Sequence, residues 1–241
     1  MGEPERWQRS VEEFVLGQIG APASRVLEVG CGKGELALAL DRAGHRVTAI
    51  DPRAPDGALF RRVGIEGFSD PGPFDHVVAS LSLHHVGDLG AALDKMSGLL
   101  RAEGTLIVVE FAWDRLDAAT AGWALARLPE AATSGHGSWL ERCRGPAGGD
   151  EGEGRHAEAN VAGWWREHGF HSSRRMREEI GRRFAGRHFA WGPYLFSDLD
   201  DGTTEADELA AIEAGEISAT SFRYVGTVLP ERTLAEWSNG R

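Results

Sequence analysis

Three short stretches carry residue types that could do chemistry together. Gly30-Cys31-Gly32-Lys33-Gly34 puts three glycines between two apolar runs, Asp51 follows 21 residues after Gly30, and His84-His85 comes just past another apolar run. A glycine loop lets backbone approach a ligand closely, because glycine takes left-handed φ values and has no Cβ. Where such a loop opens a helix it also offers unpaired N–H donors. The spacing narrows the ligand. A dinucleotide fingerprint reads G-x-G-x-x-G, whereas here the third glycine comes one place early and Glu35 stands in its position. An acid there would repel a pyrophosphate and suits a ligand with positive groups and no phosphate. No G-K-[ST] follows, which excludes a P-loop. A carboxylate at Asp51 can accept the hydrogen bonds of a ribose diol, whether of NAD or of S-adenosylmethionine; its other reading is a turn or helix cap. Histidine is the side chain whose charge changes nearest neutral pH, so His85 is a candidate proton acceptor, with a structural or ligand-shell role as the alternative.

These residues need elements to hold them. Arg25 to Val29 reads as a short apolar strand, and Glu35 to Ala43 has helical spacing ended by Gly44. Arg46 to Ile50 is a second strand, His76 to Ala79 another, Leu89 to Leu100 a helix, and Thr105 to Phe111 a strand with a solid apolar centre. Continuous apolar strands alternating with helices predict a parallel sheet covered on both faces. Beyond residue 111 the pattern changes. Gly145 to Gly154 reads as a loop, Val161 to His168 as a helix capped by Gly169, His171 to Arg177 as a strand, and Ala219 to Leu229 as a strand rich in β-branched and aromatic residues.

The runs E-V-G-C-G-K-G, A-I-D-P, F-D-H-V-V-A-S-L-S-L-H-H-V and L-L-R-A-E-G-T-L-I-V-V-E-F occur in this order between residues 25 and 111. Their order and spacing resemble the class I S-adenosylmethionine-dependent methyltransferases, nearest the small-molecule branch with the "HHV" signature. Residues 160 to 229 resemble the family more loosely. The resemblance implies an α/β fold, a doubly wound seven-stranded, mostly parallel sheet with its last strand antiparallel, under a helical or loop substrate cap. It implies an N-terminal helical segment (1–24), a Rossmann-like cofactor core (25–111), a cap insertion (112–160) and a C-terminal part of the core (161–241) with an insertion at 184–216. The antiparallel hairpin would pair His171–Arg177 with Ala219–Leu229.

The resemblance also implies S-adenosyl-L-methionine as cofactor and assigns roles. Glu28 and the backbone of Gly30, Cys31 and Gly32 would hold the methionine end, Asp51 the ribose, and Pro52 would lie against adenine. Glu66, Gly67 and Phe68, from GIEGFSD, would meet the adenine edge, although this stretch departs from the family's commoner G-D-A-x-x-L-P. Ser80 and Leu81 would touch the methionine side; His85 matches the family's second histidine, and it is the candidate catalytic base, with a structural or cofactor-shell role as the alternative. Glu110, Trp113, Asp114, His136, His188 and Tyr194 are further candidates, and one or two tryptophans could wall an aromatic substrate. The acceptor would be a small molecule, a secondary metabolite among the possibilities, methylated on oxygen or nitrogen. The alternative is a protein that binds the cofactor without transferring methyl.

Composition bounds the rest. A net charge of −11 argues against a non-specific phosphate-backbone binder, and neither N-P-P-Y nor D-P-P-Y follows the His76–Ala79 strand, so no nucleic-acid partner is expected. One stretch runs the other way: Arg166 to Arg187 holds seven arginines and three glutamates, and the plain reading is a solvated basic face. The two cysteines, Cys31 and Cys143, predict no disulfide, and no Cys or His pattern suggests a metal. No secretory leader or membrane span is legible, which predicts a cytoplasmic protein. The oligomeric state is not legible.

Overall fold

The computed structural model describes residues 4–20, 23–70, 72–128, 140, 163–200 and 202–229. Expectations for His136, Cys143 and the loop 145–154, and most of the cap at 112–160, lie outside these residues. Helix α1 spans Pro4–Ile19; strand β1 is Arg25–Val29, α2 Glu35–Arg42, β2 Arg46–Ile50, β3 Phe60–Arg61 and β4 Phe74–Ser80. A 3-10 turn at Leu83–His85 leads to α3, Leu89–Leu99, and to β5, Leu100–Phe111. A second 3-10 turn, Trp113–Arg115, precedes α4, Ala118–Leu125. Residues 163–167 are helical. The chain closes with α5, Ser173–Gly181; β6, Phe184–Gly192; α6, Glu205–Glu213; and β7, Ser221–Val228.

The seven strands lie in the order β3-β2-β1-β4-β5-β7-β6. β7 runs antiparallel to both β5 and β6, and the remaining pairings are parallel. Alternation along the strands feeds two cores. Leu27 and Val29 of β1 and Leu106 and Val108 of β5 face the α3 and α5 side, with Leu93, Met96, Met176 and Ile180. Val26, Val78 and Ile107 face α1 and α2, with Val15, Leu36 and Leu40. This is the doubly wound arrangement expected. It places a switch point between β1 and β4, where the strand order reverses and a crevice opens at the strands' C-terminal ends.

Three local readings are corrected. His171–Arg177 is no strand: Ser172 caps a helix, its side chain accepting from the Arg175 N–H, and Met176 and Ile180 are buried one turn apart. The partner of β7 is instead β6, an edge strand whose middle residues are exposed and which therefore lacks a clean alternation. The stretch between the hairpin strands is thus 193–220, and the expected insertion at 184–216 begins inside the sheet. Thr105–Phe111 starts later than β5 does, because the strand continues through an irregularity at Gly104. There a Cβ would lie 3.0 Å from the Arg101 carbonyl and 3.1 Å from that of Asp75. Strand β3 was not expected at all; two residues are too few to show a period.

The acidic run from Asp198 to Glu216 is used at a helix end. Thr204 and Asp207 form a reciprocal capping box on α6, and Glu205, Asp207 and Glu208 sit in its first turn, where negative charge meets the positive end of the helix dipole. Glu208 is fully buried and accepts from the Tyr194 and Phe196 N–H groups.

Candidate functional site

The three loop glycines have different duties. Gly30 has φ +77°, and a Cβ on it would fall 2.3 Å from the Ser82 Cβ. It permits the β1 loop to touch the β4 loop. Gly34 has φ +86°, and its Cβ would strike the Phe60 ring at 2.4 Å, so that glycine serves packing. Gly32 has φ +52° with nothing within 4 Å; it is the open point of the loop. The loop is tied to β2, since the Gly30 and Cys31 N–H groups donate to the Ile50 carbonyl at 2.8 and 3.1 Å. Across the crevice, Leu81 has φ +48°, a conformation costing about 1–3 kcal/mol for a bulky residue. Its N–H is held by the Val109 carbonyl at 2.9 Å.

Carboxyl groups surround the loop. Asp51 accepts from the Arg53 N–H at 2.7 Å and the Gly32 N–H at 3.2 Å. The turn-capping reading is therefore realised, and the same bonds orient the carboxylate beside the glycine loop. Glu28 is buried, its Oε2 without a hydrogen-bond partner. Burial first, then the Glu35 charge, pushes its pKa up to about 8, against a lowering contribution from the Ala37 N–H. A carboxyl group in this state stays protonated at neutral pH unless a cation comes beside it. Cys31 faces the α1–α2 core. Burial, reinforced by the Glu28 and Asp51 charges, pushes its thiol up to about 12, which leaves it unreactive.

The histidine turn is anchored from β5. Glu110 is fully buried. Its Oε1 accepts from the Ser82 N–H at 2.7 Å and the Leu83 N–H at 2.6 Å, and its Oε2 is 2.7 Å from His84 Nδ1. His84 is thus structural. The His85 ring lies against it at a 41° tilt, ring centroids 4.0 Å apart, and meets Phe170 edge-on at 4.5 Å. The residue as a whole is exposed, while His84 and Phe170 lie against its ring. Burial first, then the neighbouring His84, lowers its pKa to about 4. At neutral pH it is an uncharged imidazole with an acceptor lone pair.

One crevice of about 400 Å³ collects Gly30, Gly32, Asp51, Pro52, Glu66, Leu81 and His85. Sequence reasoning missed Arg53, Gly64 and Ile65, and also Ser82, Val86 and Gly87; all flank residues it singled out, so chain adjacency was the available signal. Five expected residues do not line it. Glu28 and Cys31 are buried, Ser80 ends β4, and Gly67 abuts Val63. Phe68 is a core residue, 5% exposed and 6.5 Å from the Phe74 ring. Among the further candidates, Asp114 accepts from the Ser173 N–H and hydroxyl at the start of α5. His188 lies against Phe14. Tyr194 stacks on Phe111 at 4.4 Å. The described residues contain no group of His, Cys, Asp and Glu suited to a metal ion and no helix long and apolar enough to cross a membrane.

A family model described as a methyltransferase domain matches residues 3–146. An uncharacterized methyltransferase of Mycobacterium tuberculosis is 38% identical over 101 residues, 36% of this chain and 50% of that protein. The ubiquinone biosynthesis O-methyltransferase of Xanthomonas campestris is 34% identical over 112 residues, 40% of this chain and 46% of the relative. The chain thus spans about half the length of the curated relatives it matches. The 1,6-didemethyltoxoflavin-N1-methyltransferase of Burkholderia thailandensis, solved with its substrate and S-adenosylhomocysteine, superposes with a TM-score of 0.51 at 14% identity. That match covers 92% of this chain and 78% of the other and is a likeness of fold.

Proposed function

We propose that this chain, which belongs to the methyltransferase-domain family, binds S-adenosyl-L-methionine in the switch-point crevice and serves methyl transfer to oxygen or nitrogen of a small-molecule acceptor. The observation that carries the reading is the meeting of the open Gly32, the oriented Asp51 and the uncharged His85 in one crevice of about 400 Å³, within the roughly 300–1,000 Å³ of small-molecule sites. The residues fit such a group. Glu28 does not line the crevice, but it directly precedes Val29 and Gly30, which do, and its unpartnered Oε2 would suit an ammonium reaching past them; the Asp51 carboxylate suits a ribose diol, and Pro52, Ile65 and Glu66 offer an apolar floor and a polar edge for a purine. The names of the Xanthomonas and Burkholderia proteins support the reaction class.

When bound, the cofactor supplies a methyl group on a sulfonium leaving group. The chain's tasks are to orient the two reactants, exclude water and accept a proton. His85 holds a free lone pair at the crevice wall, and Glu110 fixes the turn that aims it. The substrate-cap role of residues 112–160 remains part of the proposal. Calorimetry with S-adenosylhomocysteine and NAD tests the cofactor; binding of NAD alone would sink the reading. Asp51→Ala should weaken S-adenosylhomocysteine by about 1.5–3 kcal/mol, the worth of hydrogen bonds to a charged acceptor.

The low basicity of His85 keeps a second reading open, a protein that binds the cofactor without transferring methyl. Homocysteine release, measured across a panel of phenols, amines and heteroaromatic acceptors, separates the two.

A further inference from the structure

The arginine-rich segment is not used by the crevice. It builds a second, open groove of about 560 Å³ behind the histidine turn, between the Trp113–Arg115 turn and the start of α5. Arg166, Arg174 and Arg175 line it, with the half-buried Phe170 as aromatic surface and Trp113, 5% exposed, at its floor. Asp114, the one carboxylate among its described lining residues, is occupied by the Ser173 N–H, the Ser173 hydroxyl and the Arg174 N–H. Arg166 makes no ion pair among the described residues. Arg174 has only a 3.5 Å contact with Glu178, and Arg175 shares Glu179 with Arg182 and Arg183. The groove is therefore cationic on a chain whose net charge is −11.

The groove adjoins the crevice. The His171 N–H donates to the His84 carbonyl at 3.1 Å, and His171 Nε2 donates to the Val86 carbonyl at 2.8 Å. Phe170 lines the groove, His85 lines the crevice, and their rings touch. At that point the wall between the two spaces is one side chain on each side.

We propose that this groove holds the anionic end of the acceptor, a small planar ring compound bearing a carboxylate or phosphate. Guanidinium groups pair with such anions bidentately, and aromatic surface takes the ring. The inference rests on the methyl-transfer reading and specifies its acceptor.

The test is calorimetry at low salt on the full chain with 2-naphthoate, 2-naphthyl phosphate and the uncharged 2-naphthamide. An anion is expected to bind at least about tenfold more tightly than the amide, and the better of the two tells carboxylate from phosphate. Arg166→Gln/Arg174→Gln/Arg175→Gln should abolish the preference while S-adenosylhomocysteine affinity is kept, which also reports folding. Arg42→Gln/Arg46→Gln, on another face, should leave the preference intact. Equal binding of amide and anions, a preference that survives the triple change, or equal loss in the control variant would overturn the proposal. Selective anion binding without any S-adenosylhomocysteine binding would instead retain the anion groove and reject the cofactor reading.

Discussion

At the scale of single residues, proton positions decide what the crevice can do. Glu28, with its pKa pushed up to about 8 by burial and Glu35, is protonated in the free protein at pH 7. An ammonium placed beside it favours the carboxylate, so binding should release a proton. Cofactor affinity should rise with pH up to about 8 and then level off. Titration at pH 7 in buffers of different ionisation heat measures this directly, and Glu28→Gln should remove the proton release; no release in the unaltered protein would separate Glu28 from the ammonium. For His85 the sign is opposite. Its pKa is lowered to about 4, so the neutral form persists down to about pH 5. At saturating cofactor, the pH profile of kcat/KM for the acceptor should show no His inflection near 6.5 and should fall only below about pH 5. His85→Ala should lower kcat by about 10²–10⁴-fold, the usual worth of a general base, with S-adenosylhomocysteine affinity little changed. A variant with full turnover removes His85 from the chemistry.

At the scale of elements, the Leu83–His85 turn depends on a carboxylate from another strand. Glu110 satisfies two backbone N–H groups and the His84 ring at once. Glu110→Gln keeps the shape but loses the charge-assisted bonds, and should cost about 1–3 kcal/mol of stability by denaturant unfolding. Because the same turn carries His85, turnover should fall with it, whereas a substitution at the exposed Leu38 of α2, such as Leu38→Gln, should change neither. An unaltered midpoint would show that the turn holds itself. The β6–β7 hairpin has the opposite character. Its long pairing is made by backbone, with Phe222 buried against the Phe189 and Trp191 rings.

At the scale of the whole molecule, the crevice spans the boundary between the β1–β2 and β4–β5 halves of the sheet. A ligand bridging them opposes global unfolding by mass action. S-adenosylhomocysteine at about a hundred times its Kd should add about 2.7 kcal/mol, which for a chain of this size raises Tm by roughly 5–10 °C. NAD at the same concentration should leave Tm unchanged, and a thermal melt decides between them. Charge is distributed on the same scale: acids gather at α6 and around the glycine loop, while the Arg166–Arg187 arginines collect on α5 and its surroundings.

Much of the first half was written locally. β1, β2 and the glycine loop are legible because a buried parallel strand must be largely apolar and a tight strand-to-helix turn favours glycine, and both demands act on consecutive residues. Asp51 and His85 could be singled out for the same reason, each following an apolar run. Other features needed distant partners. His171–Arg177 became a helix because Ser172 and the remote Asp114 satisfy its first N–H groups. β6 became a strand because β7 offers it a full ladder, although its exposed side chains carry little pattern. Gly30 and Gly34 look alike in sequence, and only the approach of Ser82 to one and Phe60 to the other separates their roles. Phe68 left the site for the core because Phe74 lies against it. Composition could show that arginines cluster between 166 and 187; placing three of them around one groove beside His85 took the fold, because Trp113 and Phe170 are brought together there from opposite ends of a 57-residue separation.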